Sequence, residues 1–490
     1  MRPSAMGTGI AAVLMLLATG CGDSGSDADN SSDENTRDTE KNSDDDTDSG
    51  TDGNPDDSDD DSEGPESTNP EDNNDNTPPD LPSECRLVTE SFGGEDVGEF
   101  EISGGGDGRN PDIAADPESY SGVVVWGYFK GGASDDDTSR WGIQSASVTT
   151  TPPGDEDPTK PALGETVAVT TSDESQLAET PTIARGDDGY GVAYRDTRWD
   201  TACDPLVYED CDRDLAFIAI DENGTPADRE PLRLTDSGVV MNRPDIARIP
   251  DGGYVIAWHE LETDDFYTKV IRIDAEGIPS EIFTLPQEAD DFSGPTVASN
   301  DTVAVVAYAT KSKKAIVAGV WPHDAAEPED EILTISDQHP LQRSPRIAAG
   351  EGGFMVSWNG EHEGLYEIFL HPLDETGTPV GDTQRGTWCF DSVSASDLAW
   401  NGETYALVWE AGKVNGIDEC AVAASTCKPQ VFAALVDTEG EVTTASVRFS
   451  DDPNQSQLSR IAWDGVGWTV VWQTWGNLRW RVFYGQMVCD

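Results

Sequence analysis

From Asn110 onward the chain alternates apolar and polar positions in short runs, and the runs follow one order that recurs seven times. Each unit opens on Pro-x-Ile-Ala or a variant: Pro111-Asp112-Ile113-Ala114, Pro181-Thr182-Ile183-Ala184, Pro244-Asp245-Ile246-Ala247, Pro295-Thr296-Val297-Ala298, Pro345-Arg346-Ile347-Ala348, then Asp397-Leu398-Ala399 and Arg460-Ile461-Ala462. At 11 to 13 residues past the central aliphatic stands an aromatic: Trp126, Tyr194, Trp258, Tyr308, Trp358, Trp409 and Trp472. The alternation of Tyr254, Ile256 and Trp258 against Val255 and Ala257 has period 2 and predicts a strand. A third run ends in Asp-x-x-Gly at Asp221/Gly224, Asp274/Gly277, Asp374/Gly377 and Asp437/Gly440. An Asp opening and a Gly closing a short polar gap predict a hairpin turn, because Gly accepts the positive φ the turn needs. A shorter fourth run follows at 232–236, 332–337 and 447–451.

Four strands make a small sheet that cannot bury both faces alone, so neighbouring units must stack, and radial closure removes exposed edges. The expected fold class is therefore all-β: a seven-bladed β-propeller of four-stranded antiparallel blades over residues 85–490. The last unit supplies three strands, while residues 99–103 match the fourth-strand pattern of 447–450, so an N-terminal strand near 98–103 is expected to complete the final blade. Cys85 and Cys489 flank these segments, and a disulfide between them would lock the ring. On these motifs residues 85–490 resemble the seven-bladed propellers of secreted and lipid-anchored bacterial proteins. The resemblance implies a fold and assigns no residue roles: the sequence has neither the Ser-x-Asp-x-Gly-x-x-Trp box of sialidases nor the Trp-Asp blade ending of WD40 repeats.

The start of the chain changes the picture from fold to address. Met1-Arg2 and the apolar run through Ala18 have the form of a secretory signal, expected over 1–20. Leu17-Ala18-Thr19-Gly20-Cys21 resembles the lipobox of bacterial lipoproteins, although Ala18 departs from the usual Leu; the resemblance implies diacylation of Cys21. Gly22 follows, whereas an Asp at that place resembles an inner-membrane retention signal, so the expectation is a Gram-negative outer membrane, periplasmic or surface-facing. Acyl chains at about 0.8 kcal/mol per CH₂ anchor a protein without a transmembrane helix. Residues 22–84 are nearly all Asp, Ser, Asn, Thr, Gly, Glu and Pro, and the expected domain 21–84 is a disordered acidic tether, because few apolar groups and dense like charge leave nothing to offset ordering entropy.

Charge persists beyond that segment. Of the chain's 96 acids and 30 bases, residues 1–84 hold 24 and three, leaving 72 acids against 27 bases and a formal charge of about −45 on 85–490. Such a field repels nucleic acid and anionic membranes and favours a saline habitat, where salt screens the self-repulsion. Beyond Cys21 there are seven cysteines. Cys203 with Cys211 and Cys420 with Cys427 are expected to form local loop bridges, leaving Cys389 as a buried free thiol.

Candidate chemistry follows from the rim where the second-to-third-strand loops gather. Insertions are expected at 127–140, 195–214, 259–267 and 410–430, and rigid loops on a scaffold are where recognition is usually built. Arg195, Arg198 and Trp199 cluster cations with an aromatic and offer bidentate bonding and stacking to a carboxylated or planar ligand; the competing expectation is that the arginines pair with Asp200, Asp212 and Asp214. Immediately after the seven aromatics stand Gly127, Arg195, His259, Ala309, Asn359, Glu410 and Gln473, which differ from unit to unit, as a site would and a scaffold would not. Asp204, Asp210, Asp212 and Asp214, and in the first unit Asp135, Asp136 and Asp137, are candidate calcium ligands, although no EF-hand spacing accompanies them. No other cofactor is expected.

With no Gly-x-Ser-x-Gly elbow, no His-Glu-x-x-His and five histidines, serine-hydrolase and zinc-protease readings are poor. The leading expectation is a monomeric, lipid-anchored envelope module that recognises a protein or glycan on the long-loop rim. A propeller glycoside hydrolase or lyase is the alternative, since its carboxylate pair is undetectable among so many acids, and a structural envelope scaffold is the third.

Overall fold

The computed structural model describes residues 81–490 apart from 83–84, 93–94, 105, 130–140, 153–159, 171–176, 201–210, 228–229, 291–292, 389–392, 413–428, 451–454, 477 and 490. The readings made above for Cys21 and the rest of 1–80, for Cys203, Cys389, Cys420 and Cys427, and for Asp135, Asp136, Asp137, Asp204 and Asp210 lie outside the described residues. Among the described residues there is no helix, and hence none long and apolar enough to cross a membrane.

Seven antiparallel sheets follow one another along the chain. Blade 1 consists of Asp107–Asp116, Ser121–Phe129 and Trp141–Thr149, with an outer strand in two pieces, Ala162–Leu163 and Val167–Ala168. The inner strands of blades 2 to 6 are Ala178–Arg185, Val240–Arg248, Thr296–Ser299, Gln342–Gly350 and Val393–Trp400. Blade 7 has Ser456–Trp463, Trp468–Gly476 and Arg479–Cys489. Consecutive inner strands touch in turn, and that of blade 7 touches that of blade 1. The array is a closed ring of seven.

Stacking supplies the core. Seven hydrophobic clusters are present, one per seam, each drawing on two adjacent blades: Val305 and Val320 of blade 4 pack with Val356 and Trp358 of blade 5, for example. The cluster that completes the circle joins Val124 and Trp126 of blade 1 to Val471, Val482 and Tyr484 of blade 7. The middle strands are consequently buried on both faces, as in Val303–Ala309, and all seven strand-end aromatics are core residues. Burying one such side chain contributes about 1.5–3 kcal/mol, so the seams and not the individual sheets hold the fold.

The chain ends close the ring as the strand pattern predicts. Phe100–Glu101 adds to the last strand, with Phe100 opposite Tyr484 and Glu101 opposite Phe483, and Cys85–Leu87 pairs further along it, with Cys85 opposite Cys489. A disulfide joins these two cysteines. The Asp-x-x-Gly turns also form as expected. Gly224, Gly277, Gly377 and Gly440 have φ of 81 to 88°, and the Asp221 carboxylate accepts from the backbone of Asn223 and Thr225, as Asp374 does from Thr376 and Thr378. One expectation is corrected. Residues 259–267 are no loop insertion: Tyr254–Glu262 and Asp265–Ile273 run on as paired strands to a two-residue turn at Thr263 and Asp264, with Glu262 opposite Asp265.

Candidate functional site

Six of the seven inner strands carry a register shift at the repeat's opening residues: 109/112, 179/182, 241/245, 343/346, 394/396 and 457/460. Proline stands at four of these shifts, as Pro111, Pro181, Pro244 and Pro345, while Ser396 and Ser459 take its place in blades 6 and 7. Proline has no N–H for the ladder and is tolerated inside a sheet at a bulge. The residue before it is thrown into the left-handed region at Asn110, Thr180 and Ser344, with φ of 51 to 53°, and Leu458 in blade 7 follows at 57°. A bulge re-aims side chains, and these aim the x position of Pro-x-Ile-Ala inward.

Asp112, Thr182, Asp245, Thr296, Arg346, Asp397 and Arg460 therefore converge from seven blades, joined by Arg243. Thr182 Oγ1 donates to Asp112 at 2.8 Å and lies 3.2 Å from Asp245, so one hydroxyl ties three blades together. Asp112, Asp245 and Asp397 also accept the backbone N–H groups of Ile183, Val297 and Ile461, each in the next blade. Arg243 Nη2 reaches the carbonyls of Pro111 and Pro181 at 3.1 and 2.8 Å and the Asp112 carboxylate at 3.2 Å; Arg460 stands 3.7 Å from the other oxygen of Asp112. Burial first and Arg460 second hold Arg243 and Arg346 down to about 10, which leaves both charged at neutral pH. Burial raises Asp397 to about 6 against the pull of Arg460 and Arg346. Three guanidinium groups balance three carboxylates, and their hydrogen bonds run from blade to blade. This is an ionic plug at the ring's axis, and the sequence reading passed over it because each member looks like an isolated polar residue in an apolar strand.

The ring of residues after the aromatics lies in the seams, buried. Gln473 Oε1 accepts the Asn110 N–H of the next blade at 2.7 Å. Blade 7 has Ser459 where blades 1 to 5 have proline, so an additional N–H needs an acceptor, and Glu410 Oε1 supplies it at 2.7 Å. Glu410 also takes the hydroxyls of Ser459 and Ser394 at 3.2 Å, and burial raises its carboxyl to about 7. Asn359 donates to the Val393 carbonyl at 2.9 Å. His259 is fully buried, and burial lowers it to about 3, so it is neutral. Arg195 pairs with Glu179 at 3.1 Å and donates to Thr180. These residues vary because the bulge geometry they cap varies.

In blade 2, Arg198 pairs with the buried Asp196 at 2.8 Å and not with Asp200, Asp212 or Asp214. Trp199 is half-buried against the seam cluster and lies between the guanidinium carbons of Arg198 and Arg233, at 5.7 and 5.3 Å from its ring. Of the candidate calcium ligands described, Asp214 is engaged by Arg233, Thr235 and the Gly238 N–H, while Asp212 is exposed. Cys211 is disulfide-bonded. Among the described residues no group of three or more His, Cys, Asp or Glu is arranged to hold a metal ion.

A further cluster on the same rim escaped the sequence reading. The second and third strands of blade 7 end with Gly476 opposite Arg479 and Trp475 opposite Trp480. The two indoles meet edge to face at 5.4 Å; Trp475 is 38% exposed and Leu478 90%. Leu478 has φ of 66°, a conformation that Gly or Asn adopts at lower cost. On blade 1, Phe129 and Trp141 lie 5.0 Å from each other on the face turned to blade 2, opposite the face on which Trp126 and Tyr128 pack against blade 7. Where the chain enters blade 1, Asp107 accepts the Trp480 N–H at 3.1 Å and two bonds from Arg109 at 3.2 and 2.9 Å, and Arg109 stacks over Trp141 at 4.8 Å. The available signal was an apolar Leu in a two-residue hairpin turn bracketed by tryptophans.

No protein-family model matches the chain, and no characterised protein resembles it significantly in sequence. Among solved structures it is similar to Trypanosoma rangeli sialidase in complex with the inhibitor DANA, at 8% identity and a TM-score of 0.43 over 83% of this chain and 58% of that one. A Dyadobacter fermentans protein of unknown function gives 10% and 0.43 over 83% and 100%, and the parainfluenza virus 5 hemagglutinin-neuraminidase ectodomain 8% and 0.44 over 82% and 85%. The chain thus spans less than two thirds of the trypanosomal enzyme. Likeness at this level transfers no chemistry.

Proposed function

We propose that this protein is an exported recognition module, anchored to the envelope through a lipid on Cys21 and spaced from it by residues 22–84, which binds a glycan or protein ligand on the rim at the junction of blades 7 and 1. The observation that carries the reading is the exposed Trp475 and Leu478 beside Trp480, whose N–H is accepted by Asp107 of the Asp107–Arg109 pair. Exposed tryptophan and arginine at a rim are the residue types that carry binding energy in interfaces. The Arg198–Trp199–Arg233 stack of blade 2 continues the same rim. The axial plug holds the ring, its guanidinium and carboxylate groups compensating one another between blades, with the buried Nε of Arg346 left without a partner.

A glycoside hydrolase is the second reading, because Asp397 and Glu410 are raised acids near the axis. Glu410, however, is 1% exposed and its oxygens serve Ser459 and Ser394, whereas a general acid must meet its substrate. The test is capture from envelope extract by the full chain in detergent, with and without Trp475→Ala and Trp480→Ala. A component retained by the wild type and lost with the double variant is expected; equal capture by both rejects the rim. Separately, Cys21→Ser is expected to move the protein from the membrane to the soluble fraction, and retention in the membrane rejects the lipid anchor.

A further inference from the structure

Resting on the export part of that reading, we infer that Asn223 is an attachment site for an oligosaccharide, transferred to its side-chain amide outside the cytoplasm. Asn223-Gly224-Thr225 has the Asn-x-Thr form of an N-linked glycan acceptor. Asn300-Asp301-Thr302 has it too, while Asn30 and Asn454, which open two more such triplets, lie outside the described residues. The sequence alone does not rank Asn223 above Asn300. Their surroundings do.

Asn223 stands in the turn between Asp214–Ile220 and Leu232–Arg233, the third and fourth strands of blade 2. Asp221 accepts the N–H groups of Asn223 and Thr225 at 2.9 and 2.8 Å, and Ser145 of blade 1 donates across the seam to the carbonyl of the buried Gly224 at 2.7 Å. These bonds hold the turn by its backbone. The Asn223 carboxamide and the Thr225 hydroxyl make no hydrogen bond to any described residue, and both residues are exposed. Asn300 is the opposite case. Its amide nitrogen donates to the Glu375 carbonyl of blade 5 at 2.8 Å, and its oxygen accepts the N–H groups of Thr302 and Val303 at 2.8 and 2.9 Å. The Thr302 hydroxyl is bonded to Asn300 and Glu375, each at 3.0 Å. Asp221 precedes Asn223 by two residues where Ala298 precedes Asn300, so the blade 2 turn also presents a carboxylate to a cationic peptide groove. A glycan is bulky and needs a surface position. Along antiparallel strands the third-to-fourth turn lies at the end of a blade opposite the second-to-third turn, so a sugar on Asn223 leaves the Trp475–Trp480 rim clear.

The donor is an oligosaccharide carried on a lipid pyrophosphate. Asn223 Nδ2 forms a bond to the anomeric carbon as the bond from that carbon to the pyrophosphate oxygen breaks. The oxygen keeps the electron pair and the amide proton passes to the leaving lipid pyrophosphate, so nothing is oxidised or reduced.

The test takes the full chain from the organism that makes it, with membrane and cytosolic fractions kept apart. Trypsin releases residues 214–229 as one peptide, bounded by Arg213 and Arg229. Mass spectrometry is expected to find this peptide heavier than its sequence by an oligosaccharide, with sugar ions on fragmentation and the attachment on Asn223. Asn223→Gln and Thr225→Val should each abolish the added mass, and Thr225→Ser, which keeps the hydroxyl, should retain it; melting curves of the variants should lie close to the wild type, because these positions face solvent. The peptide at its sequence mass, its Asp form from deamidation at Asn223-Gly224 alone, or a sugar that survives Thr225→Val overturns the inference. An unmodified chain recovered in the membrane fraction refutes the glycan and leaves the anchor standing, whereas an unmodified chain confined to the cytosol refutes both.

Discussion

Glu410 gives the sharpest physical test of how the seams are built. Its carboxyl is buried, and burial raises it from an ordinary 4.5 to about 7, although it accepts from Ser459 N at 2.7 Å and from two hydroxyls. The folded chain therefore binds this proton more tightly than the unfolded chain. Stability is greatest below about pH 4.5 with respect to this group, falls as pH rises through the interval, and has lost the whole contribution above about pH 7. At 1.36 kcal/mol per pH unit the displacement amounts to about 3 kcal/mol. In Glu410→Gln the amide oxygen can keep the Ser459 bonds while the NH₂ faces the Ser394 hydroxyl. Gln473, at the equivalent place in blade 7, already caps Asn110 in this way. The variant should match the wild type near pH 5 and exceed it near pH 8 by about 2–3 kcal/mol. With an unfolding entropy of roughly 2.1 cal/mol/K per residue over a ring of about 400 residues, that is a rise in Tm of about 3 °C. Calorimetric melts at the two pH values decide it. A difference of equal size at both, or a variant less stable at pH 8, refutes the account of Glu410 as a cap charged at a cost.

Three further outcomes follow from the same geometry. Asp112→Ala removes the carboxylate that Arg243, Arg460, Thr182 and Ile183 share and should cost about 3–5 kcal/mol in urea unfolding, whereas Asp116→Ala, which breaks the partly exposed pair with Arg185 and an exposed bond from the Glu118 N–H, should cost about 1 kcal/mol; similar losses would dispose of the axial plug. Cys489→Ser opens a closure spanning 404 residues, for which the chain-entropy treatment gives about 6 kcal/mol, so its urea midpoint should fall below that of the oxidised wild type, and reductant, which still acts on the bridge of Cys211, should lower the variant by much less than the wild type. Raising NaCl from about 0.05 to about 1 M should raise Tm, because screening relieves the repulsion among 72 acids on residues 85–490; a flat response would mean that the surface charge carries no strain.

Period-2 alternation, the fixed spacing from aliphatic to aromatic and the Asp-x-x-Gly turns are local quantities, so the amino-acid order alone determined that this chain makes four-stranded sheets, that seven of them stack, and that its two ends share the last sheet. The turn glycines and the partner of Cys85 were legible for the same reason. What lay beyond local reading depends on angles between blades. The opening of each repeat, Pro-x-Ile-Ala or its serine variant, reads as a strand start, but only in the ring does the bulge there turn Asp112, Asp245, Asp397, Arg346 and Arg460 toward one another. Glu410 and Gln473 differ in charge and look like ligand contacts until the next blade is placed against them, when each proves to cap a backbone N–H. Trp480 and Asp107 lie more than 300 residues apart in sequence. Closing the circle is what brings the Asp107 carboxylate to the Trp480 N–H, because a one-dimensional pattern specifies which residues share a strand face and leaves to packing which faces meet.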